Sequence, residues 1–209
     1  SSYDIPFTST VRTWIYLRDL LEWYDPFNRV RDKFFEDRGV FGKVVPASTG
    51  IGAWSPSGAA MIADAYAIKP KSDAITIAAM PSPLQCPALD YLSSFSRALE
   101  VGMPNLREIY ISGTASIDPD GKTVFLDDTK QQIDRTMEVA AAILESRGMD
   151  WSNTSRAIVY FKYTRDIPLF DAYCSDHGIT AMPVVVHHAD VCRDDLLFEI
   201  ELEAVCGEG

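Results

Sequence analysis

The sequence lacks most of the features that mark membrane, secreted or disulfide-rich proteins. No apolar run approaches the roughly 20 residues that a membrane-spanning helix needs. The first residues, SSYDIPFTSTVRTW, have neither the basic start nor the apolar stretch of a signal peptide. The cysteines are scattered, with no CxxC pair and no dense framework: Cys86, Cys174, Cys192 and Cys206. We therefore expect reduced thiols and a cytoplasmic location.

Positive charge is also scarce. Lys and Arg total 19 against 30 Asp and Glu, which gives a formal net charge of -11 and a pI of about 4.6. This balance argues against nucleic acid and against anionic membrane surfaces as partners. It does not exclude a small anionic substrate, because a few local arginines can outweigh the global field. A hydrophobic content of 47% and a charged content of 23% are typical of a globular protein.

The chain contains an internal repeat. The segment VRTWIYLRDLLEWYDPFNRVRDKFFEDRG (11–39) matches SRAIVYFKYTRDIPLFDAYCSDHG (155–178), so that Arg12 corresponds to Arg156 and Tyr16 to Tyr160. Each copy has a β-rich run, a helical pattern ended by glycine, a proline-led stretch and a final strand. The order strand, helix, strand, strand is therefore predicted twice.

The second copy has a longer front part than the first. A strand over 107–117, a DPDGK turn and a helix over 127–148 precede its repeated half. Helices on one face of a mixed sheet predict an α+β fold. Either the chain begins in mid-domain or an ancestral front half was lost. We predict a partial repeat at 1–70, a linker at 71–90 and a complete domain at 91–209.

Two sets of strings resemble known families. ISGTASIDPDGKTV, the 127–148 helix, SRAIVYFK, the Pro183 turn and FEIELEAV resemble the YjgF/RidA superfamily, which implies a chorismate-mutase-like fold and, usually, trimers. Its imine deaminases carry an arginine after the turn proline, where this chain has Val184 and Val185, so deamination is not expected. RTWIYL, FNRVRDKFF, PASTGIG, FSRALEV and DVCRDDLLFEIE resemble the chorismatases. Chorismatases are longer at the N-terminus, and they hydrolyse chorismate to pyruvate and a cyclic acid.

The chorismatase resemblance implies a cofactor-independent hydrolase or lyase of secondary metabolism that acts on a small carboxylate. The alternatives are another cofactor-free YjgF-family tailoring enzyme and a non-catalytic protein that binds a small ligand. Neither nucleic acid nor membrane is an expected partner. His187 and His188 are metal-ligand types, but adjacent strand residues point apart, so no metal site is predicted.

The last strand carries the residue most central to this reading. Alternation along FEIELEAV sends Phe198, Ile200 and Leu202 to one face, and Glu199, Glu201 and Glu203 to the other. Taken alone, three glutamates indicate a solvated face. The resemblance instead assigns Glu199 as the general acid, with Glu201 raising its pKa by repulsion and lying in the substrate site. The first repeat has Ile62 or Ala63 at this place, so one site per chain is expected.

Cations and one thiol complete the predicted site. A dicarboxylate substrate requires positive partners, and the candidates are Arg97, Arg193, Arg156 and Lys162. For any of them a surface salt bridge is the alternative. The resemblance places Cys192 in the pocket as a catalytic residue that influences the product. The alternative is a buried, inert thiol.

Overall fold

The computed structural model describes residues 4–91 and 93–207. Its strands are β1 (Thr10–Leu17), β2 (Ala47–Gly52), β3 (Met61–Ala67), β4 (Thr76–Met80), β5 (Ala98–Met103), β6 (Leu106–Ala115), β7 (Thr154–Phe161), β8 (Val184–His188) and β9 (Phe198–Gly207). Its helices are α1 (Leu20–Asp37), α2 (Thr129–Glu145) and α3 (Ile167–Asp176), with short 3-10 turns between elements. The predicted α+β fold is confirmed.

The strand order within the described residues shows the internal repeat directly. The smaller sheet has the order β2-β1-β3, and the larger has β4-β5-β6-β9-β7-β8. In the smaller sheet β1 is parallel to β2 and antiparallel to β3. In the larger sheet β7 is parallel to β8 and antiparallel to β9. The triplets β2-β1-β3 and β8-β7-β9 therefore have the same pairing, preceded in the second copy only by β6 and α2.

The register fixes which residues of the two copies correspond. Tyr16 lies opposite Ile62, and Tyr160 lies opposite Glu199. Because Tyr16 and Tyr160 are equivalent, Ile62 occupies the place of Glu199. Two residues further along each strand, Asp64 occupies the place of Glu201. The first copy thus keeps an acid at the second position and has an aliphatic side chain at the first.

The stretch interpreted as a linker differs from that expectation. Residues 76–80 form β4, which pairs antiparallel with β5 from Thr76 opposite Gly102 to Met80 opposite Ala98. Ile75 and Ile77 pack against a cluster that includes Leu99 and Val101. Apolar burial and a free sheet edge recruit this segment into the larger sheet. The division at 70 and 90 stays a prediction.

The main core lies between α2 and one face of the larger sheet. Asp128 begins α2, because its side chain accepts a hydrogen bond from the Gln131 backbone N–H. The buried face of α2 includes Ile133, Met137, Ala140, Ile143 and Leu144. These side chains share a cluster with Phe198, Ile200 and Leu202 of β9. The other face of β9 is therefore turned toward the smaller sheet.

That second face of β9 is not solvated. Glu199 is 4% exposed and Glu201 is fully buried. Arg12 of β1 reaches across from the smaller sheet to Glu201. Glu199 and Glu201 therefore lie between the two sheets. A carboxyl group buried there must either pair with a cation or keep its proton.

Across residues 4–91 and 93–207, no helix combines the length and apolarity that crossing a membrane would require.

Candidate functional site

A cavity of about 500 Å³ opens beside Glu199. Its walls come from one face of α1, from the segment that leads into β5, from β6 and the residues after it, and from the segment that leads into β9. The lining residues are Tyr24, Asp25, Asn28, Arg29, Asp32, Ser93, Phe95, Arg97, Gly113, Ala115, Ile117, Cys192, Arg193 and Glu199. The cavity has the size and the enclosure of a small-molecule site.

Glu199 is the acid of this cavity. Burial raises the pKa of Glu199 to about 8, the negative charge of Glu201 adds to the rise, and the Arg12 guanidinium opposes it. Among the residues that the structure describes, no side chain or backbone group donates a hydrogen bond to the Glu199 carboxyl group. A buried carboxyl group in this setting keeps its proton near neutral pH, which is what a general acid needs.

Gly113 provides the space for this carboxyl group. A Cβ at position 113 would lie 2.2 Å from Glu199 Oε1 and 2.9 Å from Glu199 Cδ. Both distances are shorter than any tolerated contact, so only glycine lets β6 pass this close to the acid. Gly113 belongs to the string ISGTASI, whose glycine therefore has a steric function at the site.

Glu201 is paired with side chains of the protein. It is absent from the cavity wall and is held between two arginines, with Arg12 Nη2 at 2.7 Å and Arg156 Nη2 at 3.0 Å. Trp14 Nε1 donates a third hydrogen bond at 3.0 Å. The placement of Glu201 in the substrate site stays a prediction. In the structure its carboxylate is paired with protein donors, and its charge acts on Glu199.

Arg156 and Lys162 form ion pairs with carboxylates of the protein, and neither is among the residues that line this cavity. Arg156 contacts Glu201 and Glu203, the latter at 3.1 Å. Lys162 contacts Asp194 Oδ1 at 2.6 Å. For both, the alternative of a structural ion pair describes what the structure shows, because each has a carboxylate within reach on a neighbouring strand or loop.

Arg97 and Arg193 do lie in the cavity wall. Arg97 Nε donates to the Cys86 carbonyl oxygen at 2.9 Å, and Arg193 Nη1 donates to the Gly121 carbonyl oxygen at 2.8 Å. Anchoring through backbone carbonyls fixes the position of each guanidinium group. Both arginines therefore bring positive charge to the cavity wall, and a guanidinium group suits a carboxylate.

Cys192 lines the same cavity. Burial raises the pKa of the Cys192 thiol to about 12, with a further rise from Glu199 and an opposing effect of Arg193. The side chain is therefore a neutral thiol at physiological pH, and its suitability as a nucleophile is low. Its position suits contact with a bound molecule beside the acid.

The wall supplied by α1 was not predicted. Tyr24, Asn28 and Asp32 recur every four residues, which puts them on one face of a helix, and that face borders the cavity. The helix is kinked at Trp23, whose φ of -141° and ψ of 18° are not helical. Ser94 Oγ donates to Asp32 Oδ1 at 2.5 Å, which ties the segment before β5 to α1. The polar spacing in WYDPFNRVRD was the available signal.

Within the described part of the chain, no group of three or more His, Cys, Asp or Glu side chains is arranged to hold a metal ion.

Sequence comparison finds similarity to a chorismatase and to a RutC family protein. The chain is 27% identical over 220 residues to a chorismatase from Streptomyces rapamycinicus, covering 93% of this chain and 64% of that protein. It is 28% identical over 116 residues to a RutC family protein of Pyrococcus abyssi, covering 54% of this chain and 86% of the other. No family model matches the chain.

The structural comparison extends over most of the fold. A chorismatase crystal structure superposes with a TM-score of 0.81 at 23% identity, covering 94% of this chain and 64% of that one. The chain thus spans slightly less than two thirds of the chorismatases it resembles. Together these likenesses confirm the resemblance that the sequence strings predicted.

Proposed function

Because the chain is a chorismatase-like member of the YjgF/RidA superfamily, we propose that it hydrolyses the enolpyruvyl ether of chorismate or of a related cyclic carboxylic acid. Glu199 is the general acid of this reaction. One observation carries the proposal: a buried carboxyl group with a raised pKa borders a cavity of about 500 Å³ whose wall includes Arg97 and Arg193.

The reaction begins with a proton transfer to carbon. Glu199 donates its proton to the terminal methylene of the enolpyruvyl group, and the electron pair of the C=C bond forms the new C–H bond. The product is an oxocarbenium ion, to which water adds with loss of a proton. The hemiketal then collapses, the ether C–O bond breaks, and pyruvate and the ring alcohol leave. The proton lost from water restores the acid form of Glu199, so no cofactor enters the balance.

The charges of the wall support one orientation of the substrate. Arg97 and Arg193 attract the carboxylates, whereas the α1 side carries Asp25 and Asp32 along with a single arginine, Arg29, and so attracts them less. We therefore expect the substrate carboxylates to bind between the two arginines. The ring hydroxyl then points toward α1, where carboxylate and amide oxygens can accept its hydrogen bond.

The test is release of pyruvate from chorismate, followed by coupling to lactate dehydrogenase and loss of NADH absorbance. We expect turnover by the wild-type chain and a loss of at least 100-fold in Glu199→Gln. Glu203→Gln is the matched control, because Glu203 is on the same strand face but contacts Arg156 outside the cavity. A folded wild-type protein that releases no pyruvate would contradict the chorismate assignment.

The same experiment separates the alternative functions. The second candidate function is that of a tailoring enzyme that acts on a different cyclic acid. The acidic residues on α1 favour a substrate that carries hydrogen-bond donors on that side. Calorimetric binding of chorismate without turnover would instead indicate a non-catalytic ligand-binding protein. Arg97→Gln should weaken that binding in either case. We also propose that the protein is cytoplasmic and forms a trimer.

A further inference from the structure

Thr49 of β2 joins two parts of the site, Arg12 and β6, that the proposed mechanism leaves unconnected. Its hydroxyl oxygen accepts a hydrogen bond from Arg12 Nη2 at 2.6 Å and another from the Gly113 backbone N–H at 3.0 Å. Thr49 is 2% exposed, and its methyl carbon lies 3.3 Å from where a Gly113 Cβ would be. It therefore adjoins both Arg12 and the β6 segment that faces Glu199.

Arg12 is a buried cation with unused donors in this arrangement. It is 1% exposed, and a single nitrogen, Nη2, makes both of its hydrogen bonds, to Thr49 and to Glu201. Among the described residues, its Nε and Nη1 atoms have no hydrogen-bond partner although both are enclosed. Buried donors without acceptors are costly, so this guanidinium gains free energy from any further carboxylate that it can reach.

Glu199 is the carboxyl group beside this arrangement, because the Gly113 N–H donates to the same Thr49 hydroxyl as Arg12 and a Gly113 Cβ would overlap Glu199 Oε1. The charge of Arg12 already acts on it, and both side chains occupy the space between the two sheets. If Arg12 turned from Glu201 toward Glu199, it would stabilise the ionised form of Glu199 and remove the acid from the reaction.

We infer that Thr49 is a positioning residue that holds the Arg12 guanidinium on Glu201 and away from Glu199. Its hydroxyl oxygen accepts hydrogen bonds from both Arg12 and the Gly113 N–H. It therefore fixes the position of the guanidinium group relative to β6. The geometric claim stands on the contacts alone, and the catalytic consequence rests on the proposed role of Glu199.

Other charged groups also face Glu199, and none of them replaces Arg12 in this function. Glu201 on β9 and Tyr160 on β7 lie on the same sheet face, Cys192 precedes β9, and the cavity wall adds Arg97, Arg193, Tyr24, Asp25, Arg29 and Asp32. Arg97 and Arg193 are anchored to backbone carbonyls. Among the described residues, Arg12 is a cation whose charge acts on Glu199 and whose Nε and Nη1 are enclosed without a hydrogen-bond partner.

The test follows the ionisation of the Glu199 carboxyl group by NMR as pH is varied, in protein whose glutamates are labelled with carbon-13. The Glu199 signal is assigned by its absence in Glu199→Gln. We expect a midpoint near 8 in the wild-type chain. In Thr49→Val the acid dissociation constant should rise at least tenfold, because Arg12 is released toward Glu199. Thr49→Ser keeps the acceptor and should restore the wild-type midpoint. Thr136→Val is the matched control, a fully buried threonine on α2.

The readouts distinguish the inference from the proposed function. An unchanged midpoint in folded Thr49→Val overturns the inference whatever the activity. A shifted midpoint without pyruvate release by the wild-type chain supports the inference and contradicts the chorismate assignment. Should Thr49→Val fail to fold, Thr49→Cys provides a weaker acceptor of similar size, for which a fall in the midpoint is again expected and an unchanged midpoint is contradictory.

Discussion

At the scale of single residues, the site depends on keeping one carboxyl group protonated among arginines. Glu199 achieves this by burial first and by the neighbouring charge of Glu201 second. Glu201 itself is compensated by Arg12 and Arg156, so it supplies a negative charge without needing a proton. The two glutamates on one strand face thus have different functions, set by their donors.

The pH dependence of activity follows from the raised pKa of Glu199. A general acid works only while it is protonated, so its contribution is present below its pKa and is lost as pH rises through it. We expect kcat/KM for pyruvate release to be level near neutral pH and to fall about tenfold per unit above a pH of about 8. Stopped assays from pH 6 to 10 measure this. A basic limb that is unchanged in Glu201→Gln would contradict the contribution of Glu201.

Gly113 offers a steric test of the same acid. In Gly113→Ala the new methyl group overlaps Glu199 Oε1, so either the carboxyl group or β6 must move. We expect kcat to fall at least 100-fold while KM changes little, because the arginines of the wall are not touched. Gly207→Ala is the control, since nothing lies within 4 Å of a Cβ there. Retained activity in Gly113→Ala would show that the acid does not occupy this place.

At the scale of elements, Gln132 fastens α2 to the segment that carries Cys192 and Arg193. Its Nε2 donates to the Asp195 and Phe125 carbonyl oxygens at 2.9 and 3.2 Å, and its Oε1 accepts from the Leu197 N–H at 2.8 Å. Gln132 is fully buried, and its bond with the Leu197 N–H is enclosed, so this N–H has no water as a substitute.

We expect Gln132→Leu to lower the free energy of unfolding by about 1–3 kcal/mol, because it leaves the buried Leu197 N–H unpaired. It should also raise KM, since Arg193 loses its support. Urea denaturation with steady-state kinetics measures both effects. The neighbouring Gln131 is exposed, and Gln131→Leu should change stability by no more than ~0.5 kcal/mol. Equal effects of the two substitutions would contradict the fastening role.

The sequence predicts the secondary-structure elements better than it predicts which side chains of different elements contact each other. Alternation along β9 and the repeat of Tyr16 and Tyr160 indicate the strands and the face that carries Glu199, because both are local patterns. One partner of Glu201 is Arg12, 189 residues away, and no local pattern indicates it. The sequence likewise shows that Arg156 and Lys162 are cations but does not show which carboxylates they contact.

At the scale of the whole molecule, the first repeat is less covered than the second. In the second repeat, α2 and β6 lie beside β9, whereas the described residues of the first provide no counterpart beside β3. A largely apolar cavity of about 530 Å³ lies there, between α1 and β3. The apolar side chains Met61, Ile62 and Tyr66 of β3 are 45%, 40% and 43% exposed. The half-repeat therefore leaves one sheet edge open.

A second open edge is β8, and it supports the prediction of a homo-oligomer. Val185 and Val186 are 60% and 38% exposed, and as neighbours on a strand they point to opposite faces. An apolar edge strand that is exposed on both faces is an unfavourable surface for a monomer. The YjgF/RidA resemblance implies a trimer.

We expect light scattering after gel filtration to give about three times the monomer mass of 23.2 kDa. Val185→Lys should shift the protein toward monomer, because a charge at the strand edge opposes pairing. Leu126→Lys is the control, since Leu126 is also 60% exposed but lies in the loop before α2. A mass of one chain at every concentration would contradict assembly through β8. If the wild-type chain is trimeric and both variants remain so, the contact lies elsewhere, and the open edge of β3 becomes the next surface to substitute.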